Sequence, residues 1–75
     1  MLPYKDIGGD SGIIGYQAED DAIIVYFKDG ASYRYSYASA GQSNIEMMKK
    51  LATAGNGLNA FINRNCRRRY ERRIR

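Results

Sequence analysis

"AIIVYFKDGASYRYSY", residues 22–37, decides the fold. Its first half, 22–28, is dense in β-branched and aromatic side chains, which suit a pleated surface. Its second half, 31–37, alternates strictly. Ala31, Tyr33, Tyr35 and Tyr37 share one face and Ser32, Arg34 and Ser36 the other, because successive strand residues point to opposite sides. Between the halves, "KDG" at 28–30 is a hairpin turn in which Gly30 supplies the positive φ of a turn followed by a bulge. Strands joined this closely pair antiparallel.

Upstream, "GIIGYQ" at 12–17 is a further strand, tied to the first by the tight polar link "AEDD" at 18–21. Residues 1–11, "MLPYKDIGGDS", are turn-prone and glycine-rich, and they read as an N-terminal loop. Downstream, the period changes after residue 41. Ser43 and Glu46 have the spacing of a capping box. Ile45, Met48, Leu51 and Ala52 then line one helical face, with Lys49 and Lys50 off it. "AGNG" at 54–57 stops that helix, with Gly55 as a left-handed cap. Leu58, Phe61, Ile62, Cys66 and Tyr70 recur at three and four residues and predict a second helix. Arg64, Arg67 and Arg68 point to its other sides. The expected fold is α+β, a three-stranded antiparallel β-meander followed by two α-helices packed on one face, in a single domain over 1–75.

A chain of 75 residues forms a core worth only about 3–5 kcal/mol of net stability. One cysteine and no histidine exclude an internal disulfide and the usual zinc sets. Homo-oligomerisation is therefore the support most open to it. No apolar run approaches the roughly 18 residues of a membrane span, and the start lacks the basic-then-apolar build of a signal peptide. The expectation is a soluble protein of a reducing cytoplasm, with no membrane partner and no cofactor.

The net charge of +4 conceals an asymmetry. Residues 1–63 carry five basic and seven acidic side chains, whereas residues 64–75, "RNCRRRYERRIR", carry seven arginines and one glutamate. The first segment is −2 and the second +6. Charge concentrated in this way draws polyanions or acidic proteins. Arginine binds phosphate with a planar fork and stacks on bases. Arg64, Arg67, Arg68, Arg69, Arg72 and Arg73 are the candidate phosphate contacts. Tyr70, Arg34 and Tyr35 are the candidate stacking groups. Two other uses of the segment stay open: an acidic protein partner, and a solvated helix end whose cations meet the helix dipole. The tyrosine face also has two readings. It is a stacking platform, or it is the inner face of the sheet beneath the helices. In the second case the open face carries Tyr26 and Arg34.

Three other motifs carry less. "GDSG" at 9–12 has the look of a serine-nucleophile stretch, but that chemistry needs a histidine base and the chain has none. It reads as a flexible loop. Glu19, Asp20 and Asp21 are hard-cation ligand types, yet they lie at a turn and read as solvated. Cys66 sits on the apolar stripe of the second helix and reads as a small buried hydrophobe rather than a nucleophile. No catalytic residues are assigned, and an enzyme is not expected.

Some of these residues also carry a family likeness. "IGY" (Ile14, Gly15, Tyr16), "FKDGASYRY" (Phe27, Gly30, Tyr33, Tyr35) and "FINRN" (Phe61, Asn63, Arg64) with a later Tyr70 follow one another in the order of the KTSC domain. The chain resembles that module over about residues 8–72. KTSC domains are found at the C-terminus of some lysyl-tRNA synthetases and as stand-alone bacterial and phage proteins. The chain departs from the pattern in three places. It has "GGDS" at 8–11 where a serine pair stands, lacks a proline before the first helix, and is about two residues longer at "AGNGLN". The attachment to a tRNA synthetase implies RNA binding.

The expected function is therefore a small binding module for nucleic acid, RNA above DNA, acting through the arginine segment. The alternative is a protein-interaction module, such as a phage-type inhibitor of a host or defence protein, for which Tyr and Arg are favoured hot-spot residues.

Overall fold

The computed structural model describes residues 1–9 and 11–75. Asp10, part of the "GDSG" stretch, lies outside the described residues. The fold is α+β, built on an antiparallel sheet in the order β1-β2-β3-β4-β5. The strands are β1 (Leu2–Pro3), β2 (Ile13–Glu19), β3 (Ala22–Phe27), β4 (Ser32–Ser36) and β5 (Arg72–Arg73).

The meander at its centre is the expected one. β2 and β3 pair from Glu19↔Ala22 to Ile13↔Phe27 through a two-residue turn, with a bulge at Ile14. β3 and β4 pair from Tyr26↔Ser32 to Ala22↔Ser36. The 28–30 turn takes the shape its sequence asks for. Gly30 has φ +93° and Asp29 Oδ1 accepts the Ala31 N–H at 2.9 Å, the local bond that favours Asp in turns.

The sheet is wider than the predicted three strands, and both additions lie at its edges. Residues 1–11 are not a free loop throughout: Leu2 and Pro3 pair with Tyr16 and Gly15. A proline-bearing pair is tolerated there because an edge strand needs only half its N–H groups. At the other edge, Tyr33 and Arg34 pair with Arg73 and Arg72.

Three helical segments cover one face. α1 (Tyr37–Ala40) starts at Ser36, whose hydroxyl accepts the Ser39 N–H at 3.2 Å, while the Ser39 hydroxyl accepts the Ser36 N–H at 3.0 Å. Tyr37 thus opens a helix rather than ending the strand. α2 (Gln42–Ala54) begins one residue after Gly41 with no side-chain cap. The expected Ser43–Glu46 box does not form. Glu46 instead accepts the Tyr37 hydroxyl at 2.7 Å and pairs with Lys49 at 3.2 Å. α2 ends at Gly55, which has the anticipated left-handed geometry at φ +77°.

α3 (Leu58–Phe61) widens into a π-helical turn over Ile62–Cys66 and stops there. The second helix was expected to run on to Tyr70. Continued as a helix, Arg64, Arg68 and Arg72 would stack like charges four residues apart, which is destabilising. The outer edge of β4 would also stay unpaired. As β5, the tail relieves both.

The core lies between sheet and helices. Ile13, Ile23, Val25, Ile45, Met48, Leu58 and Cys66 are essentially inaccessible. Ile45 and Met48 come from the stripe read on the first helix and Leu58 and Cys66 from that on the second; Ala52 and Ile62 are buried with them, Leu51 and Phe61 only partly, and Tyr70 is exposed. Tyr35 is 2% exposed and Tyr33 and Tyr37 pack partly against the same core, so the tyrosine face is the inner face. Tyr4 joins this core, and its hydroxyl accepts the Leu58 N–H at 3.2 Å. That bond occupies one of the free donors at the start of α3. Among the described residues, no helix is long and apolar enough to cross a membrane.

Candidate nucleic-acid interface

The tail is placed by two kinds of bond. Ser32 N–H donates to the Arg75 carbonyl at 3.0 Å, Ile74 N–H to the Ser32 carbonyl at 2.8 Å, and Glu71 N–H to the Arg34 carbonyl at 2.6 Å. Then Tyr70 lays its ring against Tyr33, with centroids 4.7 Å apart, and edge-on to Tyr35 at 6.3 Å. Aromatic pairs at such separations add stability beyond their buried area. The spacing places Tyr70 on the apolar stripe of the second helix. It is instead 39% exposed and Ile74 is 44% exposed.

Arg64, Arg67, Arg68, Arg69, Arg72, Arg73 and Arg75 are all exposed. Among the described residues, none of the seven pairs with an aspartate or glutamate side chain. Arg73 places its guanidinium 5.8 Å from the Tyr33 ring centre, within reach of a cation–π contact.

Arg34, the eighth arginine, differs. Its guanidinium meets Glu19 at 3.1 Å, Asp21 at 3.7 Å and Glu71 at 2.8 Å. Its charge is spent inside the protein, so it is a poor stacking group for a base. Two of the acidic residues read as a solvated turn are thus its counter-ions. Glu71 is held below the usual carboxylate range, first by the Ser36 hydroxyl and then by Arg34. Among the described residues, no three His, Cys, Asp or Glu side chains form a metal-binding group.

Tyr35 is also not a stacking platform, because its ring is buried. Burial pushes its hydroxyl well up, and the neighbouring Cys66, Tyr33 and Tyr70 add to this. Cys66 is fully buried and its thiol is raised by burial. That is the inert case rather than the nucleophilic one.

Between the tail and the end of α3 lies a cleft of about 320 Å³. Phe27, Tyr33 and Tyr70 line it as rings, Asn59 and Asn63 as amides, and Arg67 and Arg68 as cations. Tyr35 reaches it as well. The volume is at the lower end of ligand-sized sites, roughly 300–1,000 Å³. A second cleft of about 350 Å³, lined by Asp6, Ser11 and Asn56 among others, shares Asn59 and Asn63 with the first.

Arg67, Arg68 and Tyr70 were candidates from the sequence and stand together at this cleft. Tyr33 was a candidate only as part of the tyrosine face, and Phe27, Asn59 and Asn63 were not among the candidates. Two asparagines four apart beside a buried stripe were a usable signal. Asparagine is a weak helix former, so its recurrence on one helical face implies a use for the side chain.

No protein-family model matches the chain, and no curated protein and no solved structure matches it. The KTSC likeness therefore rests on the motif residues alone.

Proposed function

We propose that this chain is a non-enzymatic binding module for single-stranded nucleic acid, RNA above DNA, and that it is a KTSC-like domain. One observation carries the reading: among the described residues, seven exposed arginines on one segment make no ion pair with an acidic side chain, while the eighth, Arg34, meets three. Guanidinium groups set on the π-helical turn (Arg64), the turn after it (Arg67, Arg68) and the bonded strand (Arg72, Arg73) present phosphate forks from ordered backbone. The motif residues support it too, since Phe27, Tyr33, Tyr35, Asn63 and Tyr70 all line one cleft beside those arginines. Aromatic rings next to a basic track suit unpaired bases, which stack on any π-face.

The test is fluorescence anisotropy with a labelled single-stranded RNA, a matched DNA and a duplex, at about 50 and 200 mM salt. Affinity for the single strand should fall steeply, with a log–log slope near −0.7 per phosphate contacted. Replacing Arg67, Arg68, Arg72 and Arg73 by alanine should flatten the slope and abolish binding. A salt-independent affinity, or none at low salt, overturns the reading in favour of an acidic protein partner.

A further inference from the structure

Seven arginines without an ion pair among the described residues suit a phosphate chain, but they do not explain the cleft beside them. Its lining is mixed in a particular way. Rings stand on the end of β3, on β4 and on the tail, two amides on α3 and its π-helical turn, and two arginines at the turn that follows. Rings suit a flat heterocycle, amides suit a heterocycle's donor–acceptor edge, and arginines suit a phosphate.

The amides are unspent. Asn44 and Asn65 each donate to the carbonyl four residues back, at 2.8 and 3.3 Å. Such a bond is the ordinary fate of a polar side chain on a helix. Among the described residues, Asn59 and Asn63 make no such side-chain hydrogen bond; the carbonyl four residues before Asn59 is that of Gly55, which accepts the Ile7 N–H at 2.8 Å, and the one before Asn63 is that of Asn59 in α3. Tyr35 behaves similarly. It is 2% exposed and lines the cleft, yet among the described residues its hydroxyl has no hydrogen-bond partner, unlike those of Tyr4, Tyr26 and Tyr37. No side-chain polar atom among the described residues is both sealed off and unbonded, which fits a hydroxyl that opens on the cleft Tyr35 lines. Three polar groups therefore converge on one small space walled by aromatic rings, and each retains its bonding capacity.

We infer that this cleft holds one nucleotide. The base lies among Phe27, Tyr33 and Tyr70. Its edge meets Asn59, Asn63 and the Tyr35 hydroxyl, and its phosphate meets Arg67 and Arg68. As the base-reading part of the RNA interface, this rests on the nucleic-acid reading above. The same chemistry would also accept a free nucleotide, and the experiment separates the two sources.

An isotope-labelled full chain is titrated with each of the four nucleoside monophosphates, with ribose phosphate, and with a short single-stranded RNA. Side-chain amide resonances of Asn59 and Asn63 report on the cleft, and backbone amides of Arg72 and Arg73 report on the outer track. Nucleotides should shift the asparagine amides and bind about tenfold or more tightly than ribose phosphate, as expected when a stacked base is lost. Asn63→Ala and Tyr35→Phe should each weaken nucleotide binding about threefold to tenfold, with the fold retained because Asn63 is exposed and Phe keeps the Tyr35 ring. Lys50→Ala, remote on α2, should change nothing. Equal binding of ribose phosphate and nucleotides overturns the inference. So do shifts confined to Arg72 and Arg73.

RNA binding with silent asparagine amides leaves the arginine reading intact and removes the cleft. Nucleotide binding in the cleft without RNA binding keeps the cleft, makes the free nucleotide its ligand, and removes the RNA reading. No binding of any probe removes both.

Discussion

Glu71 and Arg34 hold each other twice. The Glu71 N–H donates to the Arg34 carbonyl at 2.6 Å, and the Arg34 guanidinium donates to the Glu71 carboxylate at 2.8 Å. Glu71 is the one acidic residue in the arginine segment, and its carboxylate adds an ion pair to the backbone bonds and the Tyr70 contact that hold that segment on the sheet. Glu19 and Asp21 share the same guanidinium. A basic tail is thereby anchored in part through its only negative charge, which leaves its positive ones facing out.

Arg34→Ala should therefore release the tail. It leaves Glu19, Asp21 and Glu71 facing one another without their shared cation. The amides of Ser32, Glu71 and Ile74 should exchange with solvent about tenfold faster or more, while those of Ile23 and Val25 stay protected. Glu71→Gln should act in the same direction and less strongly. Unchanged exchange in Arg34→Ala would mean that the backbone bonds of β5 suffice.

Acid should act on the same link. Glu71 titrates below its usual range because of the Ser36 hydroxyl and Arg34. A depressed carboxylate contributes its stabilisation in full above the unfolded value, about 4.3. The contribution is lost as pH falls through the lower folded value. Glu46 works with the same sign, held down by the Tyr37 hydroxyl and Lys49. Tail-amide protection should be flat from about pH 7 to 5 and decline below about pH 4. Glu71→Gln should blunt that decline, and identical acid limbs in the two chains would refute the assignment.

Alkali reports on Tyr35. Its hydroxyl is raised by burial, so the folded state keeps the proton that the unfolded chain gives up near pH 10. Stabilisation of this kind is complete below the unfolded value and is lost as pH rises toward the folded one. Ultraviolet titration should show a tyrosine that ionises well above the ordinary range. Tyr35→Phe should remove that phase and flatten the alkaline loss of stability.

Tyr4→Phe should cost about 1–3 kcal/mol, because it strips the acceptor from a buried N–H at Leu58. Leu58→Ala opens a fully buried site and should cost about 2–5 kcal/mol. A domain of this size has only a few kcal/mol of net stability, so the second chain should be largely unfolded at room temperature. Urea titrations of both variants check this. A Tyr4→Phe chain as stable as the parent would show that water replaces the hydroxyl.

The local code reads well wherever one short stretch is enough. The alternation of 31–37, the turn at Gly30, the stop at Gly55 and the apolar stripes of both helices are each set by neighbours within a few residues. The core follows from them, since each element has one face it must bury. Of the cleft, the sequence shows the arginines and Tyr70 by charge and type. It does not show Asn59 and Asn63 as partners of Phe27 and Tyr33, because nothing in the spacing connects a helix to a strand some thirty residues earlier.

What the sequence by itself determined is the antiparallel meander, the amphipathic helix of α2 with its stop at Gly55, a second helical stretch starting at Leu58, and a strongly basic end. Each of those is a property of periodicity, turn chemistry or composition. Only the tertiary structure decided what the basic end becomes. From Cys66 onward, apolar spacing favours more helix, and like-charge stacking opposes it by a similar small amount. The balance is tipped by the free edge of β4 and by Arg34, which are groups far away in the chain. They turn a helix end into a strand, bring Tyr70 onto Tyr33, and make a cleft where the sequence shows only a row of arginines.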